Sequence, residues 1–206
     1  MIYDISVPID ACTPRWPGTR PLSVRWISRA DGKGKSNETW LSMSSHAGTH
    51  LDAPLHFLNG AGSVKRVPLE ACMGPTLVVH LPKAKEIGEK ELRAARIPRG
   101  AKRLLFKTSN GKLWKKSAFD KNFVGLTADG AAYLAKRGML LVGVDYLSVA
   151  AYKHVLAVHE TLLKKRTVLL EGINLSNIAP GRYELACLPL NIPHAEAAPV
   201  RAVLTR

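Results

Sequence analysis

Ser45-His46-Ala47-Gly48-Thr49-His50-Leu51-Asp52-Ala53-Pro54-Leu55-His56 is the stretch on which the reading of this chain turns. His46, Gly48, His50, Asp52, Pro54 and His56 all occupy even positions. In an extended strand side chains alternate, so this set points to one face. On a helix His46 and His50 would align, but Asp52 would sit about 200° round from His50. The extended reading therefore gathers more ligands. Pro54 limits regular pairing, so the strand ends there or lies at an edge. Gly48 allows close backbone approach. Imidazole and carboxylate are donors that suit zinc and manganese, and a three-ligand set leaves a position open for water. The bland alternative is a surface strand that happens to carry three of the seven histidines. Placing three imidazoles and a carboxylate on one face is costly for packing alone, which favours the metal reading.

Outward from this segment, the chain reads as alternating strands and helices. Extended segments are predicted at Ile2–Ile9 (closed by Pro8), Pro21–Arg29, Thr39–Met43, Thr76–Leu81, Arg103–Thr108, Met139–Val144, Thr167–Leu170, Tyr183–Leu190 and Val200–Leu204. Helices are predicted at Glu89–Ile97 (ended by Pro98), Thr127–Arg137 (capped by Thr127, stopped at Gly138) and Ala150–Lys165, whose last turn is basic. Asp31-Gly32-Lys33-Gly34 is a turn signal. With strands grouped at both ends, the pattern predicts one mixed α/β domain over 1–206. Its core is a layered or barrel-like sheet with about three helices outside. No glycine-rich phosphate loop follows a strand, which gives nucleotide binding no support.

Composition bounds the class. The chain has 206 residues, 46% of them apolar and 22% charged, an ordinary globular mix. Cys12, Cys72 and Cys187 are scattered and odd in number, which argues against a disulfide framework or a cysteine zinc site and for a reducing, cytoplasmic setting. No signal peptide and no membrane-spanning apolar run are expected. The formal charge is +14. Its lysines and arginines are spread in small groups without aromatic interleaving or finger spacing. A solvated basic surface is expected, and no specific nucleic-acid partner.

The string His46-Ala47-Gly48-Thr49-His50-Leu51-Asp52-Ala53-Pro54-Leu55-His56-Phe57 resembles the signature of the cyclase family of metal hydrolases, which includes bacterial kynurenine formamidase and isatin hydrolase. The resemblance extends through Tyr3-Asp4-Ile5-Ser6, Trp16-Pro17-Gly18, Gly143-Val144-Asp145, Leu170-Glu171-Gly172-Ile173-Asn174-Leu175, Pro180-Gly181-Arg182-Tyr183, Leu188-Pro189-Leu190 and Ala198-Pro199-Val200-Arg201-Ala202. It implies that His46, His50 and Asp52 form a first metal triad, and that Asp52 bridges to a second ion held by His159 and Glu171. Without the family, His159 would be read as a satisfied helix histidine and Glu171 as a surface or capping acid. A helix feeding the strand that ends at Glu171 can nevertheless return both to one site.

The resemblance also makes His56 the catalytic histidine. An imidazole pKa near 6.5 suits proton transfer at neutral pH, while a further ligand or a ligand-orienting group is the alternative role. Trp16 matches a position lining an aromatic substrate pocket; otherwise it is a packing lid. His154 and His194 have no family match and are read as surface or core histidines. Implied further are one or two divalent ions per chain (zinc first, manganese second), a small aromatic amide substrate such as N-formylkynurenine, and a homodimer or larger assembly. Cyclic amides of the isatin type and a catalytically idle metal binder are the alternatives. Two stretches depart from the family pattern, Asp145-Tyr146-Leu147-Ser148-Val149 and Asn191-Ile192-Pro193-His194-Ala195-Glu196-Ala197. Both are expected near the pocket.

Overall fold

Leu104–Phe106, Leu141–Val144 and Val168–Leu170 are short apolar runs, and each forms the body of a strand buried along almost its whole length. Runs of this kind suit parallel strands covered on both faces. A computed structural model describes residues 1–31 and 34–206. In chain order its strands are β1 (Ile2–Asp4), β2 (Ser23–Ser28), β3 (Glu38–Ser42), β4 (His50–Asp52), β5 (Met73–His80), β6 (Arg103–Lys107), β7 (Leu141–Val144), β8 (Val168–Glu171), β9 (Gly181–Ala186), β10 (Ala197–Pro199) and β11 (Val203–Thr205). Its α-helices are α1 (Leu69–Cys72), α2 (Glu89–Ala94), α3 (Ala128–Lys136) and α4 (Val155–Leu163).

Nine strands form one curled sheet in the order β1-β11-β9-β5-β6-β7-β8-β4-β10. The central four, β5 to β8, are parallel, and the flanking pairs are antiparallel. Strand alternation sorts side chains into two cores. Leu104, Phe106, Val142, Val144 and Leu169 pack with Leu92, Leu134, Val158 and Leu162 of α2, α3 and α4. Leu51, Leu105, Leu141, Leu170, Leu185 and Leu204 pack on the opposite face, inside the curl. A mixed α/β fold with a barrel-like sheet and three outer helices is what the pattern predicted; α1 adds a single turn. Among the described residues no helix is long and apolar enough to cross a membrane.

Several boundaries differ from expectation. The opening strand ends at Asp4, and Ser6 makes only an isolated bridge to Ile173. Pro8 has no N–H for a ladder, and Val7 instead donates its N–H to Thr49 Oγ1 at 2.9 Å. The helix expected over 150–165 starts with a 3-10 turn at Tyr152–His154 and becomes α-helical only at Val155. Strand β9 stops at Ala186, short of the expected Leu190, and Pro189 keeps one bridge to Val200. β10 lacks any alternation signal and was not expected. α3 follows the prediction: Thr127 Oγ1 accepts from Gly130 N, and Gly138 follows the helix in the left-handed region at φ 63°. The turn expected at Asp31–Gly34 includes Gly32 and Lys33, which lie outside the described residues.

One close approach positions the rest. Gly172, immediately after β8, has φ +70°, and a Cβ there would lie 2.1 Å from the Gly48 carbonyl oxygen. Gly48 is itself left-handed at φ +62°. Two backbones thus touch where side chains would not fit, and Thr49 Oγ1 locks them by donating to Gly172 O at 2.5 Å. Gly172→Ala should therefore cost roughly 2–5 kcal/mol through strain and overpacking. Urea unfolding checks this: a large drop in the midpoint is expected, and a wild-type midpoint would contradict the close-packed backbone.

Candidate metal centre

The register of β4 against β8 builds the centre of the site. His50 lies opposite Glu171, Leu51 opposite Leu170, and Asp52 opposite Leu169. Because faces alternate, Leu51 and Leu170 enter the inner core while His50, Asp52 and Glu171 turn toward the helices. There α4 presents His159. All four are buried, and Asp52 is 0% exposed. His50 Nε2 is 3.4 Å from Glu171 Oε2 and 3.6 Å from Asp52 Oδ1. His159 Nε2 is 3.2 Å from Glu171 Oε1 and 3.7 Å from Asp52 Oδ2.

His46 and His56 arrive by a different route from the one the alternation suggested. Only 50–52 are extended. His46 sits in the turn before Gly48, and His56 ends a 3-10 turn, Pro54–His56. The left-handed Gly48 and the proline-initiated turn bend the chain so that both rings fold back over Asp52. His46 Nδ1 lies 3.2 Å from Asp52 Oδ1, and His56 Nε2 lies 3.9 Å from Asp52 Oδ2. Convergence is as expected, but turns produce it rather than a single strand face. All six histidine and carboxylate residues singled out in the sequence thus surround one point. His154 and His194 do not join them: His154 caps α4, and His194 is exposed.

The donor chemistry fits a divalent cation. Among the described residues, His50 Nε2 and both oxygens of Asp52 are buried with no hydrogen-bond partner. Buried polar atoms are rarely left so, and orphaned imidazole nitrogen and carboxylate oxygen side by side are metal donors. Donor atoms of His50, Asp52 and Glu171, and of His46, Asp52 and His56, lie within 4.8 Å of one another in each set. Asp52 belongs to both. His50 Nδ1 faces Gly48 O at 3.0 Å, and His159 Nδ1 faces Val155 O at 2.7 Å. With Nδ1–H donating to a carbonyl, each ring keeps the Nε2 lone pair for the centre.

Supporting groups escaped the sequence reading. Glu171 Oε1 accepts from Ser148 Oγ at 3.1 Å and Val149 N at 2.8 Å. Glu196 accepts from Ser45 Oγ at 2.7 Å and lies 3.2 Å from His46 Nε2. Phe57 stacks on His159 with centroids 4.5 Å apart. Ser148 and Glu196 both fall in the two stretches that depart from the family pattern, which was the available signal. Trp16 serves two ends. It packs against Phe119 at 5.0 Å and Tyr152 at 5.5 Å, and it lines a narrow cleft with Ile9, Leu147 and His46, rimmed by Arg15 and Arg20.

Electrostatics follow from packing carboxylates among imidazoles. Burial pulls the His46 imidazole down, but the Asp52 carboxylate 3.2 Å from its Nδ1 outweighs it and pushes it up to about 9. His159 is likewise raised, burial being overcome by Glu171. Burial dominates at His56 and lowers it, keeping that ring neutral. Burial would raise Glu171, yet His159 and His50 hold it well below the ordinary carboxylate range.

A nine-stranded curled sheet with a buried histidine–carboxylate cradle beside α4 defines a metal-binding α/β protein. The chain belongs to the cyclase family, whose model matches residues 3–151. Kynurenine formamidase of Bacillus anthracis is 37% identical over 98% of this chain and 95% of its own length. A solved structure described as a predicted metal-dependent hydrolase from Bacillus stearothermophilus superposes with TM-score 0.85 at 28% identity, covering 99% of this chain and 97% of that one. Isatin hydrolase A from Labrenzia aggregata shares the fold, with TM-score 0.84 at 23% identity over 99% and 93% of the two chains.

These shifts set the pH response of the metal-free chain. The raised His46 stabilises the fold fully below 6.5, and this contribution is lost as pH climbs toward 9. The lowered Glu171 stabilises above 4.5, a contribution lost as pH falls further. Chelator-treated protein should therefore lose stability between pH 6.5 and 9, and His46→Gln should flatten that loss. Denaturant unfolding across this range is the check; an unchanged slope in the variant would contradict the His46–Asp52 coupling.

Proposed function

We propose that the protein is a metal-dependent amidohydrolase that cleaves the N-formyl group from an aromatic amine, with N-formylkynurenine as the first substrate to test. The observation that carries this is the buried, unpartnered His50–Asp52 pair with His46, His159 and Glu171 close around it. Its support from relatives is the near full-length similarity to kynurenine formamidase.

His46, His50, Asp52, His159 and Glu171 would hold the ion or ions, with Asp52 shared between them. Zinc is the first expectation and manganese the second, since mixed imidazole and carboxylate donors suit both. When bound, a divalent ion supplies Lewis acidity, polarising a carbonyl oxygen and acidifying water. The chain's own groups do the rest. Burial of Asp52, His159 and Glu171 keeps bulk water from the donors. Val149 N–H, Ser148 and the Val155 carbonyl fix their orientation. His56, neutral and 27% exposed, stands at the open side of Asp52. From there its ring takes the proton released by the attacking water and passes it to the departing amine nitrogen. Trp16 and Leu147 offer the leaving ring an apolar wall beside His46.

The protein acts as a homodimer in this reading. The β2–β3 hairpin lies apart from the main sheet and exposes Val24, Trp26, Ile27, Trp40 and Leu41, each by about half. A two-stranded hairpin is marginal alone in water, and a second copy would cover these side chains. Free Cys12, Cys72 and Cys187 suit a cytoplasmic setting.

His50→Ala should abolish both metal retention and turnover of N-formylkynurenine, measured by elemental analysis and a product assay. Wild-type turnover would remove the donor assignment. His56→Ala should retain metal while losing roughly 10²–10⁴ in kcat; loss of metal instead would make His56 a ligand. Isatin belongs in the same assay, and preferential opening of that cyclic amide would displace the formamide reading. Sedimentation should show a dimer that Trp26→Ser with Trp40→Ser shifts to monomer. A monomeric parent would contradict the assembly.

A further inference from the structure

The three imidazoles nearest Asp52 are tethered by their outer nitrogens in two different ways. His50 and His159 use backbone carbonyls, Gly48 O and Val155 O. His46 has no carbonyl. Its outer nitrogen, Nε2, faces the Glu196 carboxylate at 3.2 Å, while Nδ1 faces Asp52. His46 also sits in a turn outside any strand, so no ladder holds it. Glu196 does have a rigid base. Its carbonyl oxygen accepts from Ala53 N at 2.9 Å, and the next residue, Ala197, pairs with Asp52 in the β10–β4 ladder. Glu196 is thereby registered to Asp52 itself. Its side chain reaches back to hold two successive residues of the turn, Ser45 through Oγ at 2.7 Å and His46 through Nε2.

We infer that Glu196 is a positioning residue for the metal centre. It accepts the Nε2–H of His46, fixes that tautomer and ring orientation, and so presents the Nδ1 lone pair to the cation that Asp52 shares. This rests on the metal-dependent reading given above. Carboxylate partners of ligating histidines typically change metal affinity by about 10–100-fold. His46 is the imidazole with most need of one, because its backbone is the least constrained of the three. No motif reading points to Glu196: it stands in the stretch that departs from the family pattern, 150 residues from the histidine it holds.

The test uses cobalt(II) as the probe. Chelator-stripped wild type, Glu196→Ala and Glu196→Gln are titrated with it, following the visible absorption of the bound ion and competition with a chelator. Melting of each metal-free chain is recorded alongside. Glu196→Ala should bind cobalt roughly 10–100-fold more weakly, with an altered absorption band and a metal-free melting temperature like wild type. Glu196→Gln, whose amide oxygen still accepts from Nε2–H, should recover most of the loss. Wild-type affinity and spectrum in Glu196→Ala would overturn the assignment. So would a loss as large in Glu196→Gln, or one matched by a fall in metal-free melting. A folded wild type that takes up no cobalt would be a different failure, removing the metal-dependent reading and this inference with it.

Discussion

Asp52 is a carboxylate with no exposure, no hydrogen bond to either oxygen among the described residues, and imidazoles on all sides. Burying an ionised carboxylate without compensation is severely unfavourable, so such groups are paired or bind metal. The surrounding histidines compensate in part, through contacts of 3.2 to 3.9 Å. The geometry is too loose for a set of good hydrogen bonds and suits donors that share a cation. Much of the architecture serves to keep this one unfavourable group in place.

The fold does so by register and by close backbone approach. Parallel strands β6 to β8 form a platform filled on both faces, and β4 adds to its edge so that His50 meets Glu171. That pairing fixes three donors with no long side chain left to find its own position. Gly48 and Gly172 then let the turn carrying His46 lie against the end of β8. The histidines outside the strand depend on this contact, whereas those on regular elements do not. Precision at the centre is therefore inherited largely from backbone geometry, with Ser148 and Glu196 adding side-chain contacts to Glu171 and His46.

Much of this was legible in the sequence, for physical reasons. Histidines and an aspartate of matching donor chemistry in one short segment cannot easily be explained by packing, and the apolar runs at Leu104, Val142 and Leu169 announce buried strands. The even spacing led to residues that the structure brings together, but by an incomplete route, because Gly48 and Pro54 break the strand at both ends. His159 and Glu171 were reachable through the family resemblance; on periodicity alone each reads as ordinary. Ser148 and Glu196 were hidden because their partners are distant in the chain, and pairing across that distance is decided by sheet order. β10 was hidden because three residues, Ala197 to Pro199, carry no alternation.

The central claim is that the imidazoles of His46, His50 and His159, with Asp52 and Glu171, hold the cation or cations that Asp52 shares. X-ray absorption at the metal edge of zinc-loaded protein tests it most directly. The account predicts a coordination shell of nitrogen and oxygen with the outer scattering pattern of several imidazole rings, lost in an Asp52→Ala variant. A shell of oxygen alone, without imidazole scattering, would contradict it.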